Sequence, residues 1–247
     1  MFHTYLYQPL FNGLIYLYNT VAFGDLGVAI ILLTLVIRIL LFPLFYKGFK
    51  NQTLMQKIQP EIALLQETHK HDKEKMATAM MEVYKRYNVN PFSSIILILL
   101  QLPILIALYQ VFLNEFGDEA LKDLYAFVAS PGHLNATFLN LIDLKGKSIL
   151  LVILAAICQY EQGVLSLGGK TATSKNEPHQ QMAKTMIWIG PVLTVLVLGS
   201  LPAAVGLYWL TSSIFSIGQQ WYINKEINNH GQTEGNSKTD VGAHGIS

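Results

Sequence analysis

The chain has 247 residues, 51% of them hydrophobic and 13% charged, with a mean hydropathy of +0.35. A soluble domain has about a quarter of its residues charged, so the composition excludes an ordinary soluble fold and indicates an all-α, polytopic membrane protein. The formal net charge of +1 names no partner, and a single Cys158 excludes an internal disulfide or a cysteine metal cluster and reads as a small packing residue.

In chain order, the first stretch is FHTYLYQPLFNGLIYLY (2–18), aromatic, apolar and without acidic or basic charge. Pro9 and Gly13 interrupt it, so residues 1–26 read as a short helix lying in the outer interface, its tyrosines at headgroup level. No basic n-region and no small-residue cleavage site accompany it, so it is not read as a secretory signal. Crossing about 30 Å of hydrocarbon takes roughly 20 helical residues. Five segments reach or approach that length: 27–45, 92–113, 148–166, 185–201 and 203–223. The last two flank GSLPAAVG, where Gly199, Pro202 and Gly206 favour a tight turn. The fourth is short, which implies local thinning of the bilayer.

Between the first two spans, residues 46–91 carry two apolar stripes at helical spacing, each opposite a charged face. They are Leu54, Ile58, Ile62 and Leu65, then Met76, Met80, Val83, Tyr84 and Tyr87. With a turn at THKHD (68–72), a bend near Pro60 and Asn90-Pro91 at the end, this segment is expected to form a cytoplasmic helical hairpin. Beyond residue 227 the chain turns polar and glycine-rich. The plan is an outer helix at 1–26, a membrane core at 27–227 and a disordered cytoplasmic tail at 228–247.

Thirteen lysines and arginines fall in 46–91, 167–184 and the tail, against Lys122, Lys145 and Lys147 on the other side. The excess of positive charge inside places the N-terminus outside and the C-terminus in the cytoplasm, which agrees with an odd number of spans.

No Walker loop, HExxH or GxSxG motif is present, and no pair of aspartates lies within a span. The sequence therefore suggests no enzyme, no cofactor and no specific nucleic-acid site, and His69 and His71 read as a solvated hairpin tip. The informative residues are polar groups inside the spans. Arg38 interrupts LTLVIRILLFPL (33–44). Its guanidinium cannot be deprotonated, and mid-bilayer placement costs several kcal/mol. Snorkelling would have to reach over about 10 Å, and a lone arginine is no voltage sensor. A structural ion pair and a place in the wall of a cytoplasm-open, water-filled cavity are the other readings.

Several spans supply partners for such a cavity. Thr34 is one turn from Arg38, Gln101 is mid-way along the second span, and Gln159 and Gln162 are on the third. Trp209, Ser212, Ser216 and Gln219 form a polar stripe on the fifth. Together they describe a hydrophilic groove. Glu161 is the only carboxylate well inside a span; by depth it could pair with Arg38, by angle it faces elsewhere.

Four stretches in this order, GDLGVAIILLTLVIRILLFPL, MQKIQPEIALLQETHKHDKEKMATAMMEVYKRYNVNPF, LLQLPILIALYQVF and LYWLTSSIFSIGQQW, resemble the YidC/Oxa-type membrane protein insertases over about residues 5–227. The resemblance implies a five-helix core with a groove open to the cytoplasm and to lipid and closed to the outside. It makes Arg38 the groove arginine with Thr34 beside it, gives Leu102 a substrate-contact position, and places Tyr208 and Trp209 at an aromatic pair that meets nascent chains. It also implies a mobile, required hairpin and a ribosome-facing tail. The partners it implies are nascent membrane proteins and lipid, with the Sec translocon and the ribosome as candidates, in the bacterial inner or plasma membrane.

The sequence departs from that pattern in several ways. It has no counterpart of the large extracytoplasmic domain of longer members and no lipoprotein cysteine. It has Val152 where many relatives have proline, it adds Glu161, and its tail has only Lys225 and Lys238. The alternative is a small transporter or channel, which needs a polar path to the outer face, whereas GVAIILLT and LIALYQVFL are apolar. A chaperone activity in membrane protein assembly would coexist with insertion.

Overall fold

A computed structural model describes residues 1–113, 122–132, 134–166 and 178–243. They are mostly helical. The first helix, α1 (Gln8–Thr20), has Pro9 in its first turn and is preceded by a π-helical turn, His3–Tyr7. Tyr7, Phe11, Leu14, Ile15 and Tyr18 recur three or four residues apart and are buried, while Tyr5 and Tyr16 are exposed. The helix thus packs one face into the bundle. Its aromatic composition alone suggests an interfacial helix; the buried stripe adds a packed face.

Phe23 and Gly24 both take positive φ and reverse the chain into α2 (Leu26–Leu40), whose N-cap, Asp25, accepts from the Val28 N–H at 2.9 Å. The expected first span, 27–45, is not one rod. The helix stops at Leu41, and α3 (Phe42–Lys57) leaves at a 70° bend. Pro43 is the physical reason: it has no N–H to donate, its ring excludes the carbonyl four residues back, and it is tolerated in the first turn of a new helix.

Pro60 likewise opens α4 (Gln59–Thr68), and Asp72 caps α5 (Lys73–Arg86) through the Lys75 N–H at 3.0 Å. That bond, followed by the Lys75 ammonium, holds the Asp72 carboxyl below its usual range. The two helices pack through Ile58, Ile62, Val83 and Val89. Next come α6 (Ser93–Leu113), the strands β1 (Thr137–Phe138) and β2 (Ile142–Asp143), α7 (Ile149–Ser166), α8 (Pro178–Leu198) and α9 (Ala203–Ala243). The last helix runs past residue 228, where the sequence reading begins a disordered tail.

The strands are antiparallel, Thr137 opposite Asp143 and Phe138 opposite Ile142, joined by the three residues 139–141, of which Leu139 and Asn140 take positive φ. This tongue locks one end of the bundle. The second oxygen of Asp25 accepts from the Leu139 N–H at 2.6 Å, and the Gly146 carbonyl accepts from the Ala203 N–H at 2.7 Å. Phe138 sits directly on Gly27, where an added Cβ would meet its ring 2.3 Å away. Replacing Gly27 with valine is expected to lower the stability of detergent-solubilised protein by about 1–3 kcal/mol; an unchanged thermal transition would mean the tongue does not pack there.

The main core joins α1, α2, α6, α7 and α9 through Phe11, Leu14, Ile30, Leu108, Leu151 and Val205. Outward faces expose Ile153, Ile157, Ile189, Leu193 and Leu196. Among the described residues, α7 alone is long and apolar enough to cross a membrane, α2 with α3 qualifies as a bent pair, and Leu99–Phe112 and Ile187–Leu198 are shorter apolar stretches.

Candidate functional site

Arg38 lies in the last turn of α2. The bend at Leu41 turns α3 back so that Phe45 covers it, the guanidinium carbon 4.2 Å from the ring centroid. Nε donates to Ser212 Oγ on α9 at 2.8 Å, and Nη2 donates to the same oxygen. Arg38 is 7% exposed and Ser212 2%. No carboxylate among the described residues lies within ion-pair distance of Arg38. Glu161 is exposed on α7, so neither the ion pair nor snorkelling describes this arginine. Its Nη1 is buried without a hydrogen-bond partner.

The remaining expected groove residues divide. Gln101 donates its amide to the Tyr208 hydroxyl, tying α6 to α9. Ser213 donates to the Gln159 carbonyl oxygen at 3.4 Å, tying α9 to α7. Thr34 is buried, but its hydroxyl donates to the Ile30 carbonyl of its own helix at 2.6 Å. Ser216 does the same with Ser212. Trp209 packs partly buried against the main core, and Leu102 is 44% exposed on α6. The sequence reading expects an open, wet cavity; in the structure Arg38 is buried, with Phe45 on one side and Ser212 on the other.

Toward the C-terminal end of α9 the polar seam continues in residues the sequence reading leaves unassigned. Gln220, fully buried, donates to Thr53 Oγ1 at 2.7 Å and to Asn224 Oδ1 at 3.0 Å. Gln56 donates to Ser166. Nearby, Lys50 and Tyr46 both bond the Glu226 carboxylate, the lysine at 2.9 Å. The signal in the sequence is the i, i+4 series Ser216, Gln220, Asn224. Cys158 is a half-buried free thiol on α7.

A helical bundle that exposes leucine, isoleucine and valine along its outward faces, around an apolar core that also buries an arginine, amides and hydroxyls, departs from the order of a soluble domain. It has the character of an integral membrane protein with a buried polar seam. Residues 16–230 match the family model described as 60Kd inner membrane protein, and the chain belongs to that family, the YidC/Oxa-type proteins.

Among curated relatives, it is 36% identical over 229 residues to the membrane protein insertase YidC of Pelobacter propionicus, covering 91% of this chain and 39% of the relative. To that of Syntrophus aciditrophicus it is 34% identical over 225 residues, covering 90% of this chain and 37% of the relative. To that of Clostridium tetani it is 34% identical over 194 residues, with 78% and 79% covered. The chain thus spans under two fifths of the length of the first two relatives.

Proposed function

We propose that the chain is a membrane protein insertase and assembly chaperone. It takes the polar tail of a nascent membrane protein into a cytoplasm-open seam around Arg38 and releases the apolar helix into lipid. The observation that carries this reading is a buried arginine whose partners are a neutral hydroxyl and an aromatic ring. A cation so placed has no counter-charge to surrender before it binds an incoming carboxylate, and the low local dielectric strengthens that attraction. Polar groups crossing bare hydrocarbon cost several kcal/mol each, and a polar seam reaching part-way shortens the unfavourable path. The short fourth span thins the bilayer and shortens it further. The substrate helix then partitions into lipid by burying its apolar surface. No covalent bond is made or broken, so Arg38 acts by binding.

In this reading the five segments from 27–45 to 203–223 span the bacterial inner membrane, with the N-terminus outside and the C-terminus in the cytoplasm, and 46–91 is a cytoplasmic hairpin. The similarity to curated insertases and the charge asymmetry support it. Nascent membrane proteins and lipid are the partners, with the Sec translocon and the ribosome as candidates. Leu102 and Trp209 would meet the substrate helix at the lipid-facing edge of the seam, whereas Tyr208, buried in the main core and bonded to Gln101, would act from behind them. The test is reconstitution in proteoliposomes with a single-span substrate carrying an acidic N-terminal tail. Protease protection of that tail well above the level of empty liposomes is expected, and protection no higher than empty liposomes would reject the proposal.

A further inference from the structure

We infer that the seam has a second station, formed by Gln56, Gln219 and Gln220, that accepts hydrogen bonds from the main-chain N–H groups of the polar segment being moved. This inference rests on the insertase reading. The orientation of each amide is fixed by a helix carbonyl. The Leu165 carbonyl accepts from Asn224 Nδ2 at 2.7 Å, so Asn224 presents its Oδ1 to Gln220, whose nitrogen donates to it at 3.0 Å. The Gly163 carbonyl accepts from the Ser166 hydroxyl at 2.9 Å, which leaves the Ser166 oxygen to accept from the Gln56 nitrogen at 3.3 Å. The Phe42 carbonyl accepts from the Gln219 nitrogen at 3.2 Å.

In all three glutamines the nitrogen is tied and the carbonyl oxygen is buried without a partner. At Arg38 the unpartnered atom is a donor, Nη1. The seam therefore offers a donor at one end and acceptors about 10–12 Å further along α9, at Gln219 and Gln220, with a third at Gln56 on α3.

A buried acceptor without a donor costs about 1–3 kcal/mol. An extended polypeptide supplies one N–H per residue, proline excepted. Carboxylates and phosphates, having no donors, fit Arg38 and are repelled by the glutamine oxygens. The two stations in series thus suit an acidic polar segment: its carboxylates at Arg38 and its backbone N–H groups at the glutamines.

The test uses the full chain in proteoliposomes and a lysine-free acidic tail, so that side-chain ammonium groups are excluded as donors. Gln220→Met keeps the shape and removes the acceptor; it is expected to reduce the protected yield roughly three- to tenfold. Thr53→Val loosens the tether on the Gln220 nitrogen but leaves the free oxygen, and is expected to have a smaller effect. A tail with prolines at alternate positions, which has half the N–H donors, is expected to be less sensitive to Gln220→Met. In a Cys158→Ala background, cysteines at 212 and 220 are each expected to form disulfides with tail cysteines of a stalled substrate. Equal losses in the Met and Val variants, equal sensitivity of the proline tail, or disulfides at 212 but none at 220 would overturn the second station and leave the insertase reading standing. Disulfides at neither position would sink the insertase reading itself.

Discussion

Replacing Arg38 with alanine is expected to reduce insertion of a substrate with an acidic tail by roughly thirtyfold, corresponding to about 2 kcal/mol of lost charge-assisted binding. Lysine at the same place keeps the charge and is expected to retain more activity than alanine, although it cannot reproduce the fork that places both Nε and Nη2 on Ser212 Oγ. Initial rates of protease-protected product for the two variants, beside wild type, decide between charge and shape. Equal losses would assign the role to guanidinium geometry. Stability is expected to move the other way. A buried cation with no carboxylate partner is costly to fold around, so Arg38→Met is expected to melt no lower than wild type in detergent while losing insertion. A lower melting temperature with insertion intact would make Arg38 a structural residue.

The second large effect is expected at Asn12, far from the seam. It is 3% exposed on α1. Its oxygen accepts from the Tyr125 N–H at 2.6 Å, and its nitrogen donates to the Asp123 carbonyl at 2.9 Å. One side chain thereby ties α1 to the segment around residue 125. In Asn12→Leu the part-buried Tyr125 N–H loses its acceptor, whereas the Asp123 carbonyl keeps Gln8 as a donor. The expected cost is about 2 kcal/mol, a large fraction of a typical domain stability of roughly 5–15 kcal/mol. The change should appear as a lower melting temperature and faster protease cleavage in 122–128. Unchanged melting and cleavage would show that Asn12 does not hold that segment.

The parts of the site visible in the sequence are those where polarity breaks an apolar run. Arg38, Gln101, Gln159 and Ser212 stand out because a charge or an amide in such a run needs a reason. Their partners were harder to see. Phe45 reaches Arg38 only because Pro43 bends the chain by 70°, and a proline near the end of an apolar run reads as easily as the end of a span. Tyr7, in the π-helical turn, and Tyr18 of α1 are buried because of their helical spacing, which their interfacial chemistry masks. Gln220 and Asn224 lie where spans usually turn polar, so nothing in their composition separates a buried network from an ordinary membrane edge. Thr34 carries the opposite lesson: its position beside Arg38 is right for a groove wall, yet its hydroxyl is used by its own helix. Leu102 came from family resemblance alone, and its exposure on α6 leaves its side chain accessible.

The most direct measurement is cysteine accessibility. In a Cys158→Ala chain, single cysteines at 159 and 212 are exposed to a charged, membrane-impermeant thiol reagent from the cytoplasmic side, with and without substrate. A seam that opens to the cytoplasm predicts labelling at both positions, and slower labelling at 212 once a substrate tail occupies the site beside Arg38. No labelling at either position, in protein that still inserts substrate, would contradict a polar seam as the route of entry.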